Sequence, residues 1–89
     1  MRAIVTVIGK DRVGIIAGVC GMLSELGVNI LDISQTVLQE YFTMIMLVDT
    51  AGCSIPFAEL SGLLREKGEA ENLSIRIQRE DIFEAMHRV

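Results

Sequence analysis

The chain has 89 residues, a formal net charge of −4 and 51% hydrophobic residues, a size that predicts one small domain with a limited core and therefore a self-associating surface. The excess of acid over base excludes a nucleic-acid surface, which needs clustered Lys and Arg. No apolar run approaches the roughly 20 residues of a membrane span, and no export signal stands at the N-terminus, so no membrane partner and a cytoplasmic location are expected.

Arg2 to Ile8 alternates Ala3, Val5 and Val7 with Ile4, Thr6 and Ile8, which predicts a strand apolar on both faces. The pattern breaks at Gly9 into a short polar loop and restarts with helical spacing from Gly14 to Leu26 through Ile15, Ile16, Val19, Met22, Leu23 and Leu26. Gly27 stands where a C-terminal cap glycine belongs. Ala17, Gly18 and Gly21 lie off the apolar stripe, where either tolerance or close approach by another backbone explains them.

Val28 to Leu38 and Tyr41 to Asp49 read as an antiparallel hairpin turning at Gln39 and Glu40. Its second strand carries Phe42, Met44, Met46 and Val48 on one face and Thr43, Ile45 and Leu47 on the other, so it belongs beside the first strand at the sheet centre. A second helix opens at Pro56, takes Phe57, Leu60, Leu63 and Leu64 as its apolar side, and ends around Arg65, Lys67 and Gly68. Leu73 to Gln78 then alternates apolar and polar residues, the signature of an edge strand with one wet face.

This order predicts an α+β, ferredoxin-like βαββαβ sandwich, with four antiparallel strands and two helices on one face. Residues 1–79 form the core of that single domain, and 80–89 a short further helix with Glu80 and Asp81 at its start, Arg88 at its end and Ile82, Phe83 and Met86 as its apolar stripe. The face opposite the main helices should present Ile4, Ile8, Ile45 and Leu47, a patch that predicts at least a dimer.

Chemistry-bearing residues are few. Cys20 and Cys53 lack the spacing of a zinc site or a redox pair, and His87 has no Cys or second His beside it, so no metal, cofactor or catalytic group is expected. The junction from Val5 to Ala17 is different. A strand, a polar loop and a helix start aim several backbone N–H groups and the positive end of a helix dipole at one point, which suits a carboxylate or phosphate. Backbone N–H groups at Val13, Gly14 and Ile15 suit a carboxylate, and Asp11 either pairs with an ammonium or caps the helix. Asn29 either orients such a zwitterion or simply serves the helix-to-strand corner.

Gly9-Lys10-Asp11-Arg12-Val13-Gly14-Ile15-Ile16-Ala17 after the first strand, with Gly27-Val28-Asn29-Ile30 opening the second, resembles the ACT domain, and the likeness runs through Arg79. The closing Asp81 to Arg88 is similar to the tail of small stand-alone ACT proteins of prokaryotes. The resemblance implies regulatory, non-enzymatic sensing of an amino acid by a homo-oligomer, a homodimer first of all, at or near a subunit interface. By position it implies Lys10, Asp11, Arg12, Val13, Gly14 and Asn29 as ligand contacts and an unknown regulated protein as a further partner. Val13 departs from the proline that many ACT domains place there. Two other classes compete: an acylphosphatase-like hydrolase using Arg12 and Asn29, although its glycine-rich phosphate cradle is missing, and a purely structural oligomerisation domain.

Overall fold

The computed structural model describes residues 1–10 and 14–81. The chain runs β1 (Arg2–Lys10), α1 (Ile15–Glu25), β2 (Asn29–Leu38), β3 (Tyr41–Asp49), α2 (Phe57–Ala70) and β4 (Leu73–Arg79). The strands form one antiparallel sheet in the order β2-β3-β1-β4, so the two strands apolar on both faces are its central pair, as expected. The result is the ferredoxin-like sandwich that the element order predicts. Residues 82–89, the bulk of the expected further helix, lie outside the described residues.

The core lies between the sheet and the helices. Val5, Val7, Met44, Met46 and Val48 point from the central strands to Leu23 of α1 and Leu60 and Leu64 of α2, and all are fully buried. Fully burying an aliphatic side chain of this size contributes roughly 1.5 to 3 kcal/mol, so this layer is the main favourable term in the fold.

α1 closes on a left-handed glycine. Gly27 has φ +82°; its N–H donates to the Ser24 carbonyl at 3.0 Å and the Val28 N–H to the Leu23 carbonyl at 2.9 Å. Val28 and Leu23 are both buried, so the Schellman hydrogen bonds and an apolar contact together turn the chain from α1 into β2. Two residues expected on apolar stripes instead face outward: Ile16 is 37% and Leu63 38% exposed. Helical period alone defines a stripe wider than the strip of helix the sheet covers.

Gly68 corrects a second expectation. It does not end α2, which continues to Ala70; it is buried where the helix crosses β4, and a Cβ there would lie 2.7 Å from the Leu73 carbonyl oxygen. The left-handed turn after α2 falls on Asn72, with φ +59°. Among the described residues Gly18 and Gly21 meet no other backbone: the end of the Lys67 side chain approaches Gly18, and a Cβ at Gly21 would meet nothing within 4 Å. β1 also runs two residues further than its alternation predicts, because Gly9 and Lys10 still pair with Phe42 and Tyr41.

Two glycines of one helix should therefore answer oppositely to alanine. Gly62→Ala, where a Cβ meets nothing within 4 Å, should stabilise by about 0.5 to 1 kcal/mol through helix propensity. Gly68→Ala should cost about 1 to 3 kcal/mol by forcing α2 off β4. Urea denaturation of the two variants beside the parent measures both signs.

Candidate functional site

The strand directions decide where each expected contact goes. Lys10 ends β1 opposite Tyr41, whereas Asn29 opens β2 opposite Asp49, which is level with Arg2 at the start of β1. Eight residues of strand separate the two levels, about 27 Å at the usual rise. Lys10 and Gly14 thus lie at one end of the sheet and Asn29 at the other, a strand length apart within one chain. Asp11, Arg12 and Val13 lie outside the described residues.

At the Lys10 end, Gly14 occupies the N-cap position of α1 with φ +87°, no side chain among the described residues caps the helix, and its first turn holds no acidic residue. The Gly14 carbonyl already accepts the Gly18 N–H at 2.9 Å. The N–H groups of the first turn, which have no acceptor further back in a helix, face outward with the positive end of the dipole. Space above Gly14 is open, since a Cβ would meet nothing within 4 Å. A carboxylate fits this arrangement chemically. A φ of +87° at this position suits glycine, which takes it without strain.

At the other end, Asn29 is exposed beside a tightly bonded corner. The Asp49 carboxylate accepts the Ala51 N–H at 2.9 Å and pairs with the Met1 ammonium at 3.5 Å. Thr50 donates to the Met1 carbonyl from both its N–H and its hydroxyl, at 2.8 and 2.9 Å. The Ala51 N–H holds the Asp49 carboxyl below the usual carboxylate range, with partial burial pulling the other way and the ammonium adding to the lowering. Composition does not single Asp49 out; its position opposite both Arg2 and Asn29 follows only from the sheet register.

β2 itself is bare. Leu31, Ile33, Val37 and Leu38 are 46%, 41%, 54% and 72% exposed, and one edge of the strand pairs with nothing among the described residues. A bulge at Leu31 is its only irregularity, and it carries neither Lys nor Pro to discourage pairing. On the open face of the sheet, Ile4, Asp32, Ile33, Ser34, Ile45 and Leu47 line a shallow hollow of about 130 Å³, and Ile8 and Ile45 of the expected patch are 47% and 40% exposed. Both cysteines are free and half-buried, and burial pushes the Cys20 thiol up, away from reactivity. Among the described residues no three His, Cys, Asp or Glu gather as a metal site, and no helix is long and apolar enough to cross a membrane.

Comparison with known proteins matches residues 2–78 to the family model of the ACT domain. A UPF0237 protein of Clostridium acetobutylicum is 57% identical over 89 residues, covering 100% of both chains. The solved structure of an ACT domain protein from Streptococcus pneumoniae superimposes with a TM-score of 0.82 at 50% identity, over 98% of each chain. The fold also recurs, at 24% identity and a TM-score of 0.73, in a putative glycine cleavage system transcriptional repressor, over 86% of this chain and 44% of that one.

The corner beside Asn29 should lose stability in acid. A carboxyl held lower in the folded than in the unfolded chain stabilises fully above its unfolded value, and that contribution disappears as the pH falls through the lower, folded value. Denaturation of the parent and of Asp49→Asn across the acid range should give curves that differ near neutrality and converge as the carboxyl protonates.

Proposed function

We propose that this chain, which belongs to the ACT-domain family, is a non-enzymatic regulatory module that binds a small molecule, a free amino acid above all, between the two subunits of a homodimer. The observation that carries the reading is the uncapped start of α1 at Gly14, with open space above it and no acidic residue in its first turn. A ligand carboxylate satisfies those N–H groups at little cost in ordering, since the helix already holds them in place.

The second half of the site comes from symmetry. β2 is an edge strand with Leu31, Ile33, Val37 and Leu38 exposed and no Lys or Pro along it, and an antiparallel partner for it is another β2. A two-fold axis across paired β2 strands reverses their ends. It carries Asn29 of the partner subunit toward the Lys10 and Gly14 end of the first, and α1 packs against β2 on the same side of the sheet. The separation of Asn29 from Gly14 within one chain is then what an intersubunit site requires, with an amide from one subunit orienting a ligand held by helix N–H groups of the other. Lys10, Asp11, Arg12 and Val13 complete the loop in this reading. The same separation argues against a hydrolase in which Arg12 and Asn29 of one chain grip one phosphate, because the described residues on either side of Arg12, Lys10 and Gly14, lie at the end of the sheet away from Asn29.

Mixing variants tests the reading. Gly14→Val strains the left-handed cap and fills the space above it, and Asn29→Ala removes an orienting hydrogen bond whose net contribution is about 0.5 to 1.5 kcal/mol. Calorimetry against the common amino acids should find one that binds the parent and binds each variant more weakly. A mixed dimer of the two variants should regain one intact site, and so half the binding capacity. Parent-like affinity in both variants places the ligand elsewhere. A dimer by light scattering that binds none of the amino acids favours a structural oligomerisation domain.

A further inference from the structure

A groove of about 420 Å³ runs along the far edge of the sheet, on the opposite side from β2, lined by Ser61 and Arg65 of α2 and by Ile75, Arg76, Ile77 and Gln78 of β4. Four successive residues of an edge strand form its floor, and beyond them β4 has no strand neighbour among the described residues. An edge strand presents every second backbone N–H and C=O outward, so this groove offers a ladder of backbone hydrogen bonds to whatever lies in it.

Its charge is specific. In a chain with 12 acidic and 8 basic residues, Arg2 pairs with Glu80, Lys67 with Glu71 and Arg79 with Asp81, whereas Arg65 and Arg76 have no acidic partner among the described residues. No carboxylate lines the groove. The two guanidinium groups also flank it from opposite sides. Arg65 stands on the helix above the edge, and Arg76 alternates with the buried Ile75 and Ile77, so it projects from the open face of the sheet.

We infer that this groove takes an extended acidic peptide of a partner protein as a fifth strand beside β4, with neighbouring carboxylates of that peptide on Arg65 and Arg76. Successive side chains of an added strand point to opposite faces, so two consecutive acidic residues reach the two arginines at once. Guanidinium and carboxylate match in planar, bidentate geometry. A second copy centred on the groove at Arg76 sets like arginines opposite each other, whereas β2 carries no base to repel a second β2. The two edges thus have different occupants, and the β4 edge is where a regulatory module hands its state to another protein.

The probe is a fluorescent hexapeptide, Thr-Val-Glu-Glu-Val-Thr, titrated with the full chain and followed by anisotropy. Binding should weaken as salt rises, and Arg65→Glu and Arg76→Glu should each weaken it about tenfold or more, a charge-assisted hydrogen bond being removed in each. The double variant should instead accept the peptide with Lys-Lys in place of Glu-Glu, a gain that misfolding does not produce. N-methylation of alternate backbone nitrogens of the probe should abolish binding although its charges remain. Absence of binding, indifference to both arginine substitutions, equal binding of the N-methylated probe, or displacement by free glutamate at the concentration of the peptide itself would each overturn the assignment.

Discussion

The burial of the central strands beneath two helices is the interaction on which the rest of this molecule depends. Ala3, Val5 and Val7 of β1 face Val48, Met46 and Met44 of β3 across the ladder, and these side chains share one buried cluster with Leu23, Leu60 and Leu64. Each strand-helix-strand connection returns its helix to that face, the right-handed crossover placing both helices over the same apolar layer. The other consequences are geometric. The start of α1 comes to the Lys10 end of the sheet, the corner after it delivers Asn29 to the opposite end, and the outer face and both edges are left without cover from the other described elements.

Those uncovered surfaces differ in chemistry. β2 exposes Leu31, Ile33, Val37 and Leu38 and carries no base, which suits pairing with a like strand. β4 is flanked by Arg65 and Arg76, which repel a copy of themselves and attract carboxylate. A small domain with a core of this size has little stability to spare, so surface of this kind persists where something else occupies it. In the proposed dimer the ligand site and the two edges are linked: a site shared between subunits would make occupancy a property of the dimer, with the opposite edge of each subunit left for the proposed partner.

Much of the candidate site was legible because it is local. Gly14 and Lys10 follow from a strand, a loop and a helix start within one short stretch, and a glycine there is needed for a φ of +87°. The relation of Asn29 to that stretch was not legible. Helical and strand periods give the face of each element but not the level at which two elements end, and that level depends on the register of β2 on β3 and of β3 on β1. Asp49 escaped notice for the same reason, since only the register brings it beside Arg2, Asn29 and the Met1 ammonium. Arg65 and Arg76 are far apart in function when read along the chain, one on a helix and one on a strand, and become a pair only because α2 crosses β4.

The sequence by itself determined the element order, the hairpin turn at Gln39 and Glu40, the central place of the two strands apolar on both faces, and the capping role of Gly27. These depend on alternation, helical period and backbone conformation, which neighbouring residues decide. Tertiary structure decided which part of each apolar stripe is covered. Ile16 and Leu63 fit their helical pattern and still face outward, because a helix on a sheet hides only the strip that touches the strands. It also decided the role of Gly68, which looks like a helix stop along the chain and is the point where α2 crosses β4, since only a residue without a Cβ lets the helix backbone approach the Leu73 carbonyl so closely.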